Sequence, residues 1–343
     1  MFRRRVSEGK TEAAVPDGGR PAGPAESGRP APGSVGPGTP GPGTPGPGAR
    51  GSDGPGGRGR AAAEPWGPPP AGLDVSVPHP ARVWNYWLGG RDYFGADRAA
   101  GEELSREFPH IAATARAERA FLVRAVRFLA GPARIQQFLD IGAGLPAGGN
   151  THEIAQRIAP DTAIVYADHD PVVRLHAKAL LSSPMLASTP EGAVSYVDAD
   201  LRDVAAILAG AAGILDVARP VALIMLGVLG HVGDYGAARS ITSQLMNALP
   251  AGSYLVIADG VAADATIGGA QRRYEDSVRR RYGQSTPAPY HLRRPDELAS
   301  FFAGLDLIEP GVVPCQRWRP DGRGGDGAAQ DEVAAWCGVA RKP

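Results

Sequence analysis

The sequence has little cysteine, no excess charge of either sign and no long apolar run. Cys315 and Cys337 are the only cysteines among 343 residues, too few for a disulfide framework and without the spacing of a metal site. We therefore predict no bound metal and a reducing, cytoplasmic location. The formal net charge is zero, so no overall field attracts nucleic acid. No segment resembles a signal peptide or a membrane span, and we expect no membrane partner.

Apolar residues are also scarce in the first part of the chain, where Gly, Pro, Ala and Arg dominate. Such a composition buries too little apolar surface to offset the entropy lost on ordering the backbone. We therefore predict a disordered tail over 1–72. The remainder, 73–343, is long enough for one well-buried domain, with a helical extension over 73–130 and a core over 131–343.

The stretch FLDIGAGLP, residues 138–146, reads as the end of a buried strand followed by a tight turn through Gly142, Ala143 and Gly144. A ligand that crosses the end of such a strand comes close to backbone that carries no side chain. The glycine spacing also fits the dinucleotide fingerprint. Asp140 favours S-adenosylmethionine instead, because a carboxylate attracts an ammonium group and repels a pyrophosphate. A simple turn-capping role for Asp140 is the alternative.

Strand and helix patterns alternate along the rest of the chain. The predicted strands after the glycine turn lie at 163–167, 194–197, 221–226 and 254–258, and the predicted helices lie at 97–107, 111–130, 150–158 and 171–181, with another ending at 249. This alternation predicts an α/β fold with a doubly wound parallel sheet. Two last strands, at 305–313 and 332–341, have no helix between them and are predicted to be antiparallel neighbours.

The first three predicted strands all end in acidic residues: Asp140, Asp168 with Asp170, and Asp200. In a doubly wound sheet a ligand lies over these ends. Asp168 follows Gly144 by 24 positions, close to the spacing at which an acid reaches a ribose hydroxyl pair. Asp200 is then placed to accept a hydrogen bond from an adenine amine. Each acid alone could cap a turn or a helix, but the four together favour a ligand site.

Six blocks carry a further signal: PHPARVWNYWLGGRDYFGADRAAGEEL, FLDIGAGLP, NTHEIAQ, VYADHDPVV, YVDADLRD and LGVLGHV. In these blocks the chain resembles the actinobacterial-type S-adenosylmethionine-dependent methyltransferase family, formerly grouped as a domain of unknown function. The resemblance implies the class I fold, a Rossmann-like sheet of seven strands with the last antiparallel. It also implies a cofactor site in which Asp140, Gly142, Ala143 and Gly144 line the methionine end, Asp168 the ribose, and Asp200 with Leu201 the adenine, and which His169, Asp170 and Gly227 complete.

Other residues near these blocks are candidates for the chemistry. His231, after the fourth strand, is the candidate base for deprotonating an acceptor, since an unperturbed imidazole has a pKa of about 6.5. A structural histidine is the alternative, and Tyr235 is a second candidate base. Arg91 is a candidate for holding the methionine carboxylate. Relatives tend to carry a bulkier residue at Gly230, so we expect a wider pocket beside His231.

Two clusters have both a binding and a structural interpretation. The aromatic rings of Trp84, Tyr86 and Trp87 either cover the sulfonium or pack in the core. The arginines between the fifth strand and the last helix either select an acidic acceptor or form a solvated helix face; they are Arg272, Arg273, Arg279, Arg280, Arg281, Arg293 and Arg294.

We therefore predict a methyltransferase that uses S-adenosylmethionine and acts on a small-molecule acceptor. A sensor that binds S-adenosylmethionine or its product without catalysis is one alternative. An NAD-dependent oxidoreductase is another, because the glycine spacing permits it.

Overall fold

The computed structural model describes residues 73–181, 192–262, 265–282, 290–320 and 333–343. The tail predicted over 1–72 lies outside them. No helix within the described residues combines the length and the apolar character needed to cross a bilayer.

Three helices precede the sheet: α1 (Pro80–Trp87), α2 (Gly95–Glu107) and α3 (Ile111–Ala130). Pro80 suits the first turn of α1, because an N–H at that position would have no partner within the helix. One stripe of α3 is buried among the apolar residues of the sheet: Phe121, Leu122, Ala125, Val126 and Leu129. The helical extension expected from the sequence is therefore present and packs on the core.

The sheet contains eight strand segments: β1 (Gln137–Ile141), β2 (Ala163–Asp168), β3 (Val194–Asp198), β4 (Ala222–Leu226), β5 (Tyr254–Gly260), β6 (Asp306–Leu307), β7 (Val313–Pro314) and β8 (Ala335–Arg341). Their order is β3-β2-β1-β4-β5-β8-β6, with β7 also paired to β8. β1 to β5 are parallel and β8 is antiparallel to β5. This confirms the predicted doubly wound α/β fold with an antiparallel last strand.

The strand order reverses between β1 and β4, which are neighbours although β2 and β3 separate them along the chain. At such a switch point the connections leave the sheet on opposite sides and open a crevice above the strand ends. The fold thus places the glycine turn after β1 at the crevice.

Helices cover both faces of the sheet. After α3 they are α4 (Thr151–Ile158), α5 (Pro171–Leu181), α6 (Val204–Ala211), α7 (Tyr235–Asn247), α8 (Ala265–Tyr282) and α9 (Pro295–Ala299). One apolar core joins the sheet to α6 and α7 through Ile207 and Leu245. The other joins it to α3 and α4, and includes Trp318 and Ala155. These two apolar cores, one on each face of the sheet, hold the strand ends in fixed positions.

The prediction of one continuous strand over 305–313 is wrong. The chain forms β6 and β7 there, two short segments that both pair with β8. Pro310 has no N–H to donate to a ladder, and Gly311 has a φ of 86°, so the residues between the segments leave the sheet. β6 and β7 together occupy the place of one strand, and the sheet keeps seven positions.

Candidate functional site

A cavity of about 820 Å³ lies at the C-terminal ends of the parallel strands, and residues of α1, α2, α3 and α8 complete its wall. Its volume is within the range of small-molecule sites. The cavity brings together eleven of the residues predicted from the sequence: Asp140, Gly142, Ala143, Gly144, Asp168, His169, Asp170, Asp200, Leu201, Gly227 and His231. The sequence motifs therefore converge on one site.

The glycine turn after β1 has no room for a side chain at Gly142. Its φ is 69°, and a Cβ there would lie 2.0 Å from Cγ1 of Val228, in the loop after β4. Its N–H donates to the carbonyl of Ala167 at 2.7 Å, which ties the turn to β2. Gly144 also has a positive φ, 64°, but a Cβ there would meet nothing within 4 Å. The two glycines thus have different roles. Gly142 permits the close packing of the loops after β1 and β4, and Gly144 permits the backbone turn.

Asp140 lies behind the glycine turn and is held by the helix that follows. Its Oδ2 accepts a hydrogen bond from Oγ1 of Thr151 at 2.6 Å. Burial raises the pKa of Asp140 to about 6, against the opposing effects of the Thr151 bond and the Arg119 charge. Arg119, on α3, donates to the carbonyl of Ala147 and to Oδ1 of Asn150. Its buried Nε has no hydrogen-bond partner among the described residues, so the guanidinium retains capacity for an anion.

Asp168 connects the loops that follow β1 and β2. Its Oδ2 accepts from the N–H of Gly144 at 2.9 Å, and its Oδ1 accepts from the N–H of Asp170 at 2.9 Å. Asp170 in turn forms an ion pair with His79, the N-cap residue of α1. Burial opposes ionisation of Asp170, but the bond from His79 and its charge bring the pKa below the usual value. This chain of contacts fixes α1 beside the strand ends.

Asp200 and Leu201 follow β3 and line the cavity. The carboxylate of Asp200 accepts from the backbone N–H of Arg202 at 2.8 Å and from its guanidinium at 3.1 Å. Although partial burial opposes ionisation, these contacts lower the pKa of Asp200. Arg202 also donates to the carbonyl of His231 at 2.6 Å, which joins the loops after β3 and β4.

His231 follows β4 on the cavity wall and packs against the ring of Tyr290. Burial, together with the nearby His79 and His169, lowers the pKa of His231 to about 4. The imidazole is therefore neutral near pH 7 and is a weaker base than an unperturbed histidine. The base role remains a prediction.

We expect the lowered pKa of His231 to appear in the stability of the protein. Between its folded pKa and about 6.5, the unfolded chain binds more protons than the folded one, so this residue makes stability rise with pH. His231→Asn should abolish that contribution and narrow the difference in unfolding free energy between about pH 5 and pH 7.5 by about 2 kcal/mol. Urea unfolding at both pH values measures it. An unaltered pH dependence in the variant would contradict the shift.

The structure corrects three expectations about which residues line the cavity. Arg91 is exposed and is absent from the cavity wall, because it follows the turn at Gly89 and Gly90. Tyr235 also lies outside the cavity wall, with its hydroxyl on Ser300 and its ring on Phe301.

The third correction concerns the space beside Gly230. A Cβ there would lie 2.4 Å from Cζ of Tyr290, so that ring fills the expected extra space and the pocket is not widened. Gly260 approaches the same ring, with its Cβ position 2.9 Å from Cε1. Tyr290 thus sits between the loops after β4 and β5.

The aromatic and arginine clusters divide between the cavity and other contacts. Trp84 and Trp87 line the cavity, and Trp87 also donates to the carbonyl of Gly101 at 3.2 Å. Tyr86 packs on Tyr93 away from the wall. Arg293 is buried and donates to the carbonyl of Val232, so it does not belong to a solvated face.

Sequence reasoning missed a buried polar group around the ends of β4 and β5. Asp259 accepts hydrogen bonds from the backbone of Gly230 and Gly260 and from the hydroxyl of Tyr290. Burial raises its pKa to about 7, against the opposing charge of Arg293. Glu118 of α3 lines the cavity on the same side. Asp259 at a strand end was detectable from the sequence; Glu118, in a helix, carried no such signal.

These features fit an adenosyl amino acid. Acidic side chains stand at three neighbouring strand ends, a glycine turn lies at the switch point, and the buried Nε of Arg119 has no partner among the residues that the structure describes. Together with the strand order and the antiparallel β8, they define the class I fold of S-adenosylmethionine-dependent methyltransferases.

The chain belongs to the S-adenosyl methyltransferase family, whose sequence profile matches residues 67–343. Its cofactor is S-adenosylmethionine. A solved structure of a DUF574 family protein from Streptomyces avermitilis is 41% identical, covers 79% of this chain and 99% of its own, and superposes with a TM-score of 0.71. A proposed methyltransferase from Thermobifida fusca is 37% identical, with 80% and 98% covered and a TM-score of 0.69. No curated protein matches the chain.

Proposed function

We propose that this methyltransferase acts on a small, largely apolar acceptor bound over the ends of β4 and β5. The observation that supports this is the cavity itself, which extends beyond the switch point to the loops after β4 and β5 and to the helices above them. There its wall is mostly apolar and aromatic, with Trp84, Leu104, Phe108, Ile111 and Tyr274. A concave, mostly apolar wall suits a small molecule better than a folded protein or a duplex.

The remainder of the cavity is assigned to the cofactor. Asp200 and Leu201 hold the adenine, Asp168 the ribose, and the turn at Gly142 to Gly144 the methionine end. Arg119 replaces Arg91 as the group for the methionine carboxylate, because it lines the cavity and its Nε is unpaired among the described residues.

The bound cofactor supplies a methyl group on a positively charged sulfur, already reactive toward an electron pair. The residues of the chain orient the partners and exclude water. α1 covers the site through the His79–Asp170 ion pair, and the apolar wall keeps the acceptor out of bulk solvent. His231 lines the cavity and is neutral near pH 7, and we assign it to accept a proton at a ring nitrogen as the acceptor reacts.

The test is to follow a labelled methyl group. The protein and methyl-labelled S-adenosylmethionine are incubated with bacterial extract split by ultrafiltration into small molecules and macromolecules. We expect label to appear in the small-molecule fraction and S-adenosylhomocysteine to accumulate, with neither seen for Asp168→Ala. Label retained on macromolecules would contradict the small acceptor. Cofactor binding without any transfer would favour the sensor.

A further inference from the structure

The acidic side chains of the cavity wall differ in how they are satisfied. Six line it: Asp74, Glu118, Asp140, Asp168, Asp170 and Asp200. Five accept hydrogen bonds from neighbouring residues. Glu118 is the exception: within the described parts of the chain, no group donates a hydrogen bond to its carboxyl or forms an ion pair with it. A buried carboxyl without a partner is costly, which points to a partner that arrives with a ligand.

Glu118 is placed at the switch point between β1 and β4. It lies in the middle of α3 and is 4% exposed. Its Oε1 is 3.3 Å from the position that a Cβ of Gly227 would occupy, directly after β4. The next residue, Arg119, contacts the loop after β1. Adjacent residues of α3 therefore present an acidic and a basic side chain to the two sides of the crevice.

Among the described residues, no cation compensates the charge of the Glu118 carboxyl. Asp259 from β5 acts on it electrostatically, and Glu118 in turn acts on the buried thiol of Cys315. Arg293 is buried, and its guanidinium lies 4.0 Å from the carboxyl of Asp259. Burial, followed by the charge of Asp259, raises the pKa of Glu118 well above its usual value. Burial without a compensating cation among the described residues, together with the neighbouring carboxyl of Asp259, therefore favours the protonated form of Glu118.

We propose that Glu118 binds the positively charged methionine end of S-adenosylmethionine, at its sulfonium or its ammonium group, and releases its proton to solvent as the cofactor binds. No bond of the cofactor changes: the O–H bond of the carboxylic acid breaks, its proton passes to water, and the carboxylate pairs with the cation. The proposal rests on the cofactor site assigned above. In this proposal Glu118 and not Asp140 contacts the cation directly, because Asp140 already accepts a hydrogen bond from Thr151.

Isothermal titration calorimetry of the full chain with S-adenosylmethionine and S-adenosylhomocysteine tests the proposal. Glu118→Gln should weaken the binding of S-adenosylmethionine by about 10- to 100-fold, which corresponds to the usual contribution of a hydrogen bond to a charged group. If only S-adenosylmethionine loses affinity, the sulfonium is the group that contacts Glu118. If both ligands lose affinity equally, the contact is the ammonium group, which S-adenosylhomocysteine retains. Glu102→Gln, which removes an exposed carboxylate paired with Arg98 on α2, is the matched control and should bind as the wild type does.

Proton release is a second measurement and needs no variant. Titrations of the wild type at about pH 7, in buffers of different ionisation enthalpy, should show protons released on binding, and Glu118→Gln should show fewer. Unchanged affinity in a folded Glu118→Gln variant, or no proton release by the wild type, would overturn the proposal. A wild type that binds neither ligand would contradict the cofactor site instead.

Discussion

Asp168→Ala is expected to weaken S-adenosylmethionine binding by at least about 100-fold, since charge-assisted hydrogen bonds contribute about 1.5–3 kcal/mol each. The carboxylate has two tasks. It is the assigned partner of the ribose hydroxyls, and it holds the N–H groups of Gly144 and Asp170 in the cofactor loops. Calorimetry with S-adenosylmethionine measures the loss.

Two further variants separate these tasks from a general loss of charge. Asp168→Asn keeps a side-chain oxygen that can accept from one backbone N–H. It should therefore lose less affinity for S-adenosylmethionine than Asp168→Ala does. Asp198→Ala removes a half-exposed carboxylate at the end of β3 that pairs with Arg174, and should bind normally. Wild-type affinity in Asp168→Ala would contradict the ribose assignment.

Gly142→Ala is expected to destabilise the protein by about 2–5 kcal/mol, combining overpacking with a left-handed backbone. The new Cβ would overlap Cγ1 of Val228 at 2.0 Å, and the φ of 69° is unfavourable for alanine. The loops after β1 and β4 would have to separate at the switch point. Chemical denaturation measures the free energy of unfolding, and calorimetry should show weaker cofactor binding.

Gly144→Ala is the matched control for the Gly142 variant. Its φ of 64° is similar, but a Cβ there meets no atom within 4 Å. It should therefore show only the backbone cost, about 1–2 kcal/mol. Adding Val228→Ala to Gly142→Ala should recover part of the stability, because it removes the overlapping methyl group. Equal destabilisation by the two glycine variants would contradict the packing argument.

The sequence predicted those parts of the site that local patterns determine. Strand ends can be located from apolar runs and turns, so Asp140, Asp168 and Asp200 were found before any contact was known. The glycine turn was predicted because a ligand that crosses a strand end needs backbone without side chains, whereas in the structure Gly142 also makes room for Val228 of the loop after β4. Parallel strands bring such residues to one edge of the sheet whatever the details of packing.

Contacts between distant segments were not predictable in the same way. Glu118 and Arg119 lie in a helix whose pattern shows its buried stripe but not the strand ends it faces. Tyr290 fills the space at Gly230 from a position 60 residues further along the chain, so the missing side chain was misinterpreted as open volume. The strand predicted over 305–313 is split because the residues around Pro310 and Gly311 leave the sheet between β6 and β7, and the apolar pattern does not indicate this.

Calorimetric titration of the wild-type protein with S-adenosylmethionine, S-adenosylhomocysteine and NAD most directly tests the claim that acidic strand ends form a site for an adenosyl amino acid. We expect S-adenosylmethionine and S-adenosylhomocysteine each to bind at one site per chain and to compete with each other, and NAD to give no binding heat. Binding of NAD with no response to S-adenosylmethionine would contradict the account.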